Sequence, residues 1–177
     1  LIIIAVASLI FLAFFAFIVI SIKQSKNKPV QLSSSGWVRG SENAKVKITE
    51  FGDFQCPACK AYEPIVRKIS KDYDGKVVLV FKHFPLTSVH PNALPAAKAA
   101  EAAGSQDKFW EMHDWLYDNQ DFWAGLTATD AEAKMTEGAK KIGLDLDQFK
   151  KDLKSDNLEA KIVSQQSEGI DIGVAAT

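Results

Sequence analysis

Cysteine is nearly absent from this chain of 177 residues: there are two, at 56 and 59, and both lie in the stretch FGDFQCPACK. Histidine is almost as scarce, with His83, His90 and His113 far apart in sequence. A structural zinc site wants four ligands, usually from two paired clusters, and these residues do not supply them. No long run of one charge occurs, and the net charge is −1. That excludes the strongly basic surface on which nucleic-acid binding rests. No internal repeat is visible.

What the chain does have, first, is one long apolar run. From Leu1 to Ile22 only Ser8 and Ser21 are polar. Such a run is long enough to cross a hydrocarbon core of roughly 30 Å. It exceeds the apolar region of a signal peptide, about 7–15 residues, and no Ala-x-Ala cleavage pattern follows it. The reading is a transmembrane anchor over 1–22, then a polar linker over 23–35, KQSKNKPVQLSSS. Lys23, Lys26 and Lys28 would keep their side of the span cytoplasmic on charge alone. The chain opens on leucine, so an amino-terminal flank is expected before it.

Residues 36–177 have the size of one domain. KVKITEF (45–51) alternates as a strand, with Val46, Ile48 and Glu50 on one face. A helix follows the cysteines, with Pro64 inside it as a kink point. KVVLVFKHF (76–84) reads as a strand buried on both faces. About five helices come next. The first is alanine-rich and stops at Gly104, and the second carries Phe109, Met112 and Leu116 on one stripe. A later one opens on a Thr129–Glu132 capping box. Trp110, Trp115 and Trp123 read as core of this block, and the three histidines as packing or surface residues. Two parallel strands do not make a stable sheet, so strands and a helix that complete it are expected after Thr177.

The cysteines admit three readings: a redox pair, half a metal site, or two neighbouring core residues. Their placement decides among them. Cys56 falls at the N-cap of the helix and Pro57 at its first position, where the missing N–H costs nothing. A sulfur there faces the unpaired amides of Ala58 and Cys59 at the positive end of the helix dipole, which favours the reactive anion. Cys59, one turn on, is close enough to close a small disulfide. A stabilised reduced form means a disulfide that readily oxidises others.

From about Val38 onward the sequence resembles the DsbA-like thiol–disulfide oxidoreductases of the thioredoxin superfamily. The likeness is carried by ITEFGDFQCPACKAYEP, VFKHFPL, HPNALPAAKAAEAA, FWEMHDWLYDNQ and GIDIGVAAT. It implies an α/β thioredoxin-like fold with a helical insertion at about 91–168. It implies that Cys56 is the nucleophile and Cys59 its resolving partner, with Pro57 and Ala58 as the active-site dipeptide. Ala58 departs from the histidine of the most oxidising members. The family's acid and lysine map to Glu50 and Lys82, expected as a charged pair beneath the cysteines that relays a proton; the plain alternative is two strand ends reaching water. Thr177 maps to the residue before a cis-proline that lines the substrate groove.

No cofactor is implied beyond the Cys56–Cys59 disulfide, and no metal. The implied partners are reduced secreted or membrane proteins, and a quinone-linked membrane reoxidase of the DsbB-like or VKOR-like kind. The compartment is extracytoplasmic, because disulfides persist outside the cytosol. A reductase or isomerase of the same fold would share this sequence. A tethered module holding unfolded chains or a soft metal is the alternative from outside enzymes.

Overall fold

Three strands form the sheet: β1 (Trp37–Arg39), β2 (Val46–Gly52) and β3 (Val77–His83), in the order β1-β3-β2. β2 runs parallel to β3 and β1 antiparallel to it. β2 and β3 are the two strands the sequence pattern predicts; β1 is not predicted, since three residues are too few for alternation to register. The computed structural model describes residues 32–177 together with 14, 15 and 17. The anchor expected over 1–22 and most of the linker over 23–35 therefore lie outside the described residues. Among the described residues, no helix is long and apolar enough to cross a membrane.

Register assigns the faces. Glu50 pairs with Phe81 and Phe51 with Lys82, and neighbours across a sheet point to the same side. One face therefore carries Ile48, Glu50 and Gly52 with Leu79, Phe81 and His83. α1 (Pro57–Asp72) covers part of it: Val66 and Ile69 close a small cavity with Ile48 and Leu79. α1 continues through Pro64 without interruption. All seven residues of β3 are buried, as its unbroken apolar run anticipates.

The helical block is α2 (Ala93–Gly104), α3 (Phe109–Asp118), α4 (Ala128–Lys141), α5 (Leu146–Asp152) and α6 (Asp156–Asp171). A single 3₁₀ turn, Gln120–Phe122, follows α3. α2 is alanine-rich because it is hemmed in: Ala96, Ala99, Ala100, Ala102 and Ala103 are all fully buried. At its end, a Cβ on Gly104 would stand 2.2 Å from the Trp37 ring, so only glycine lets the indole stack on Phe109 at 4.4 Å. α4 opens two residues earlier than the Thr129 box implies. Thr127 is the N-cap and its hydroxyl accepts from the Asp130 N–H. The run TATDAE holds that motif twice, and the first copy is used.

Glu101 of α2 is 1% exposed and ties the layers together. Its carboxylate accepts from the Trp37 indole at 2.7 Å and from Lys161 of α6 at 2.7 Å, and meets His83 of β3 at 3.0 Å. Residues Ser34–Thr177 form one compact unit around this core.

Candidate active site

The loop between β2 and α1 is fixed from both sides before it reaches the cysteines. Asp53 is buried, and its carboxylate accepts from the backbone N–H of Gln55 (2.8 Å) and of Leu86 (2.9 Å) while meeting His90 Nδ1 at 2.7 Å. From the helical block, the Gln120 amide donates to the carbonyls of Phe54 (2.7 Å) and Cys56 (3.0 Å). Gln55 donates to the Ala124 carbonyl at 2.7 Å and accepts from the Asn92 N–H at 2.6 Å. A buried loop has no water to satisfy its backbone, so side chains must do so. No pattern in the sequence assigns Asp53, Gln55, Asn92 or Gln120 to this site. Only Asp53 and Gln55 carry a signal, as polar residues crowded beside the cysteines.

Cys56 is the N-cap of α1 in an extended conformation, with Pro57 leading the helix. Both cysteines are free and lie 4.0 Å apart. They are 5% and 9% exposed, whereas Pro57 and Ala58 between them stand in solvent. The Cys56 sulfur does not bond the first-turn amides that the sequence analysis assigns to it. Its S–H donates instead to the Thr177 carbonyl at 3.2 Å, from a residue 121 positions away. The reason is chemical: a thiol is a donor and finds an acceptor, while its neutral sulfur accepts only weakly from amides. Cys59 is set apart. Burial pushes its thiol up to about 12; the Asp53 backbone N–H and the Thr177 hydroxyl oppose this, and the neighbouring Cys56 adds to it.

Glu50 and Lys82 are not a pair. They sit one register step apart and so on opposite faces of the sheet. Lys82 ion-pairs with Glu168 of α6 and reaches the Ser35 hydroxyl at 3.4 Å. Glu50 lies on the face shared by α1 and α3, and burial raises its carboxyl to about 7, with Glu63 adding and Arg39 opposing. Its Oε2 has no hydrogen-bond partner among the described residues. Strand parity in each strand was legible, but the offset between strands was not.

Of the histidines, His83 and His113 are buried among Phe54, Phe81 and Phe109. His90 buttresses Asp53 and so supports the cysteine loop. Trp123 is wholly buried, and Trp110 and Trp115 pack against the core. Glu63, His113 and Asp114 bring their ligand atoms within 4.8 Å of one another. Arg67 binds Glu63 at 2.8 Å and Arg39 binds Asp114 at 2.7 Å, so two guanidiniums already supply the balancing charge.

His113 and Glu50 give stability opposite slopes with pH. Burial lowers His113 from its ordinary 6.5 to about 4, with Asp114 opposing. Between those values the unfolded chain binds the extra proton, so His113 costs the fold stability as pH falls from 6.5 to 4. Glu50, raised from 4.5 to about 7, binds its proton in the folded state, so it costs the fold stability as pH rises through that window. The two slopes oppose each other between 4.5 and 6.5. Denaturant melts of Glu50→Gln should show stability climbing steeply with pH across that range, and a gain over wild type of about 2–3 kcal/mol above pH 7. Parallel wild-type and mutant curves would rule this out.

The chain matches the thioredoxin family model over residues 33–177. It is 42% identical over 135 residues to a Na(+)/H(+) antiporter NhaA 1 of Salinispora arenicola, covering 76% of this chain and 19% of that protein. The chain thus spans about a fifth of the length of the antiporters it matches. It is 32% identical over 171 residues to a probable disulfide bond formation protein D of Bacillus cereus, covering 91% of this chain and 76% of that one. Among solved structures, alpha-DsbA1 of Wolbachia pipientis superposes with a TM-score of 0.74 at 23% identity, over 84% of this chain and 74% of that one. The thiol-disulfide exchange protein alpha-DsbA2 of the same organism gives 0.69 at 27%, over 80% and 73%.

Proposed function

Because this chain belongs to the DsbA-like branch of the thioredoxin superfamily, we propose that it is a thiol–disulfide oxidoreductase that passes a Cys56–Cys59 disulfide to the thiols of reduced secreted or membrane proteins. The observation that carries this reading is the pair of cysteines 4.0 Å apart at the start of α1, in unequal settings. A substrate thiolate attacks the Cys56 sulfur, the S–S bond breaks, and Cys59 leaves with the electron pair and takes a proton. A second substrate thiolate then attacks the substrate sulfur of the mixed disulfide and expels Cys56. The substrate gains one disulfide and the cysteine pair ends reduced.

The pair needs no further cofactor, and a quinone-linked membrane oxidase would restore its disulfide. Residues 1–22 would anchor the chain, 23–35 tether it, and 36–177 form an extracytoplasmic catalytic domain whose insertion spans about 91–168. Thr177, with its carbonyl on Cys56, would border the substrate groove.

Two measurements test the reading. The pre-oxidised chain should transfer one disulfide per molecule to a reduced, unfolded two-cysteine protein. Equilibration with glutathione should give a potential above about −180 mV. A value near thioredoxin's, about −270 mV, would make it a reductase. Failure to exchange at all would leave only the fold.

A further inference from the structure

His83 and His113 lie in the aromatic core, whereas His90 borders the cysteine loop, its side chain partly exposed against the wholly buried carboxylate of Asp53. That carboxylate collects three donors. The Gln55 N–H reaches Oδ1 at 2.8 Å, and the Leu86 N–H at 2.9 Å and His90 Nδ1 at 2.7 Å both meet Oδ2. A carboxylate only accepts, so Nδ1 carries the hydrogen and donates. The backbone of Asp53 extends the chain of contacts, because its carbonyl accepts from the Cys56 N–H at 3.1 Å. Two residues beyond His90, the Asn92 N–H holds the Gln55 side chain at 2.6 Å. One short segment between β3 and α2 thus grips the turn 53–56 that delivers the nucleophile.

The two sides of Cys56 are held separately. On the helix side its carbonyl accepts from the Lys60 N–H at 3.2 Å and from Gln120 at 3.0 Å, and Lys60 pairs with Asp121 at 2.6 Å. On the loop side the hold runs through Asp53, where the imidazole is the one donor supplied by a side chain among the described residues. A buried carboxylate that loses a donor has no water to replace it. Loss of the His90 donor would therefore slacken the turn and leave the first turn of α1 in place.

We propose that His90 is a positioning residue for disulfide exchange: through Asp53 it fixes Cys56 where its sulfur can join that of Cys59. This rests on the disulfide-exchange reading above. A disulfide demands a narrow geometry, with sulfurs about 2 Å apart and Cβ atoms about 3.5–4.5 Å apart. Cysteines already held 4.0 Å apart lose little freedom on closing it. To close it, the Cys59 thiolate attacks the Cys56 sulfur of a mixed disulfide and expels the outside thiolate. Orientation decides how strongly this internal attack is favoured. Slackening the turn weakens the closed disulfide relative to the open dithiol, which makes the disulfide a stronger oxidant.

The test is equilibration of the full chain with reduced and oxidised glutathione at neutral pH. His90→Leu, which removes the donor, should lower the constant for forming the Cys56–Cys59 disulfide about tenfold, or about 30 mV. His90→Asn should stay within about twofold of wild type, because its amide nitrogen sits on the same carbon as Nδ1 and can donate the same bond. A merely structural role would destabilise both redox forms alike and leave the constant unmoved. A constant unmoved or raised in His90→Leu, or an equal shift in His90→Asn, would overturn the proposal and leave the proposed function standing. A wild-type chain that forms no such disulfide in any glutathione mixture would overturn both. If His90→Leu fails to fold, linkage decides in the wild type: a bond that biases the disulfide must itself be biased by it. The nitrogen resonance of His90 Nδ1 should then differ between the oxidised and reduced chain, and identical resonances overturn the proposal.

Discussion

Cys56→Ser is expected to abolish disulfide transfer to the uncatalysed background, while in Cys59→Ser the Cys56 thiolate should open the disulfide of an oxidised substrate, releasing one substrate thiolate, and then stall as the mixed disulfide. The asymmetry follows from the two settings. Cys56 caps the helix, next to the exposed Pro57. Cys59 lies one turn on, and burial pushes its thiol up to about 12, so it makes almost no attacking thiolate at neutral pH. With Cys59 gone, nothing 4.0 Å away can release the mixed disulfide from within. Non-reducing electrophoresis after incubation with a two-cysteine substrate, reduced for the transfer assay and disulfide-bonded for the capture assay, reads the outcome. Covalent adducts accumulating on Cys56→Ser instead would reverse the assignment.

The largest loss of stability is expected at Glu101. Glu101→Ala should cost about 3–5 kcal/mol, because it strips a buried carboxylate from three partners and leaves them unpaired. That is a large share of the roughly 5–15 kcal/mol that holds a domain folded. Burial alone would push this carboxyl up, but His83 and Lys161 outweigh it and hold the group below the usual range. A carboxyl lowered on folding contributes stability that is present above its unfolded value and lost as pH falls through the folded one. The wild-type chain should therefore lose this contribution below about pH 4.5, and Glu101→Gln should flatten that part of the profile. Urea melts at pH 7 check the first claim, and a cost under about 1 kcal/mol would reduce the network to surface pairing.

Glu101 also shows where sequence reading stops. In ALPAAKAAEAAG it looks, like Lys98, like a charge that keeps a helix soluble; its partners come from β1, β3 and α6, which no local pattern brings together. What was legible had a short-range cause. The proline after Cys56 marked the helix start, the unbroken apolar run marked the fully buried strand, and Phe109, Met112 and Leu116 marked an inward stripe. Glu50 read correctly as facing inward. Lys82 was misassigned because each strand's alternation is visible, but the offset between two strands is set by packing. Asp53 and Gln120 were invisible for a related reason: they satisfy backbone groups of a turn, and the need for them appears only once the turn is buried.

The bonds from Gln120 and Asn92 to the cysteine loop mean that the helical block cannot be excised to leave a smaller working enzyme. Cutting it out would strand the Phe54 carbonyl and both ends of the Gln55 amide, and would leave the Cys56 carbonyl with the Lys60 N–H alone. The insertion is therefore not modular. It behaves as a splint, and changes in its length or packing are felt at the sulfurs themselves.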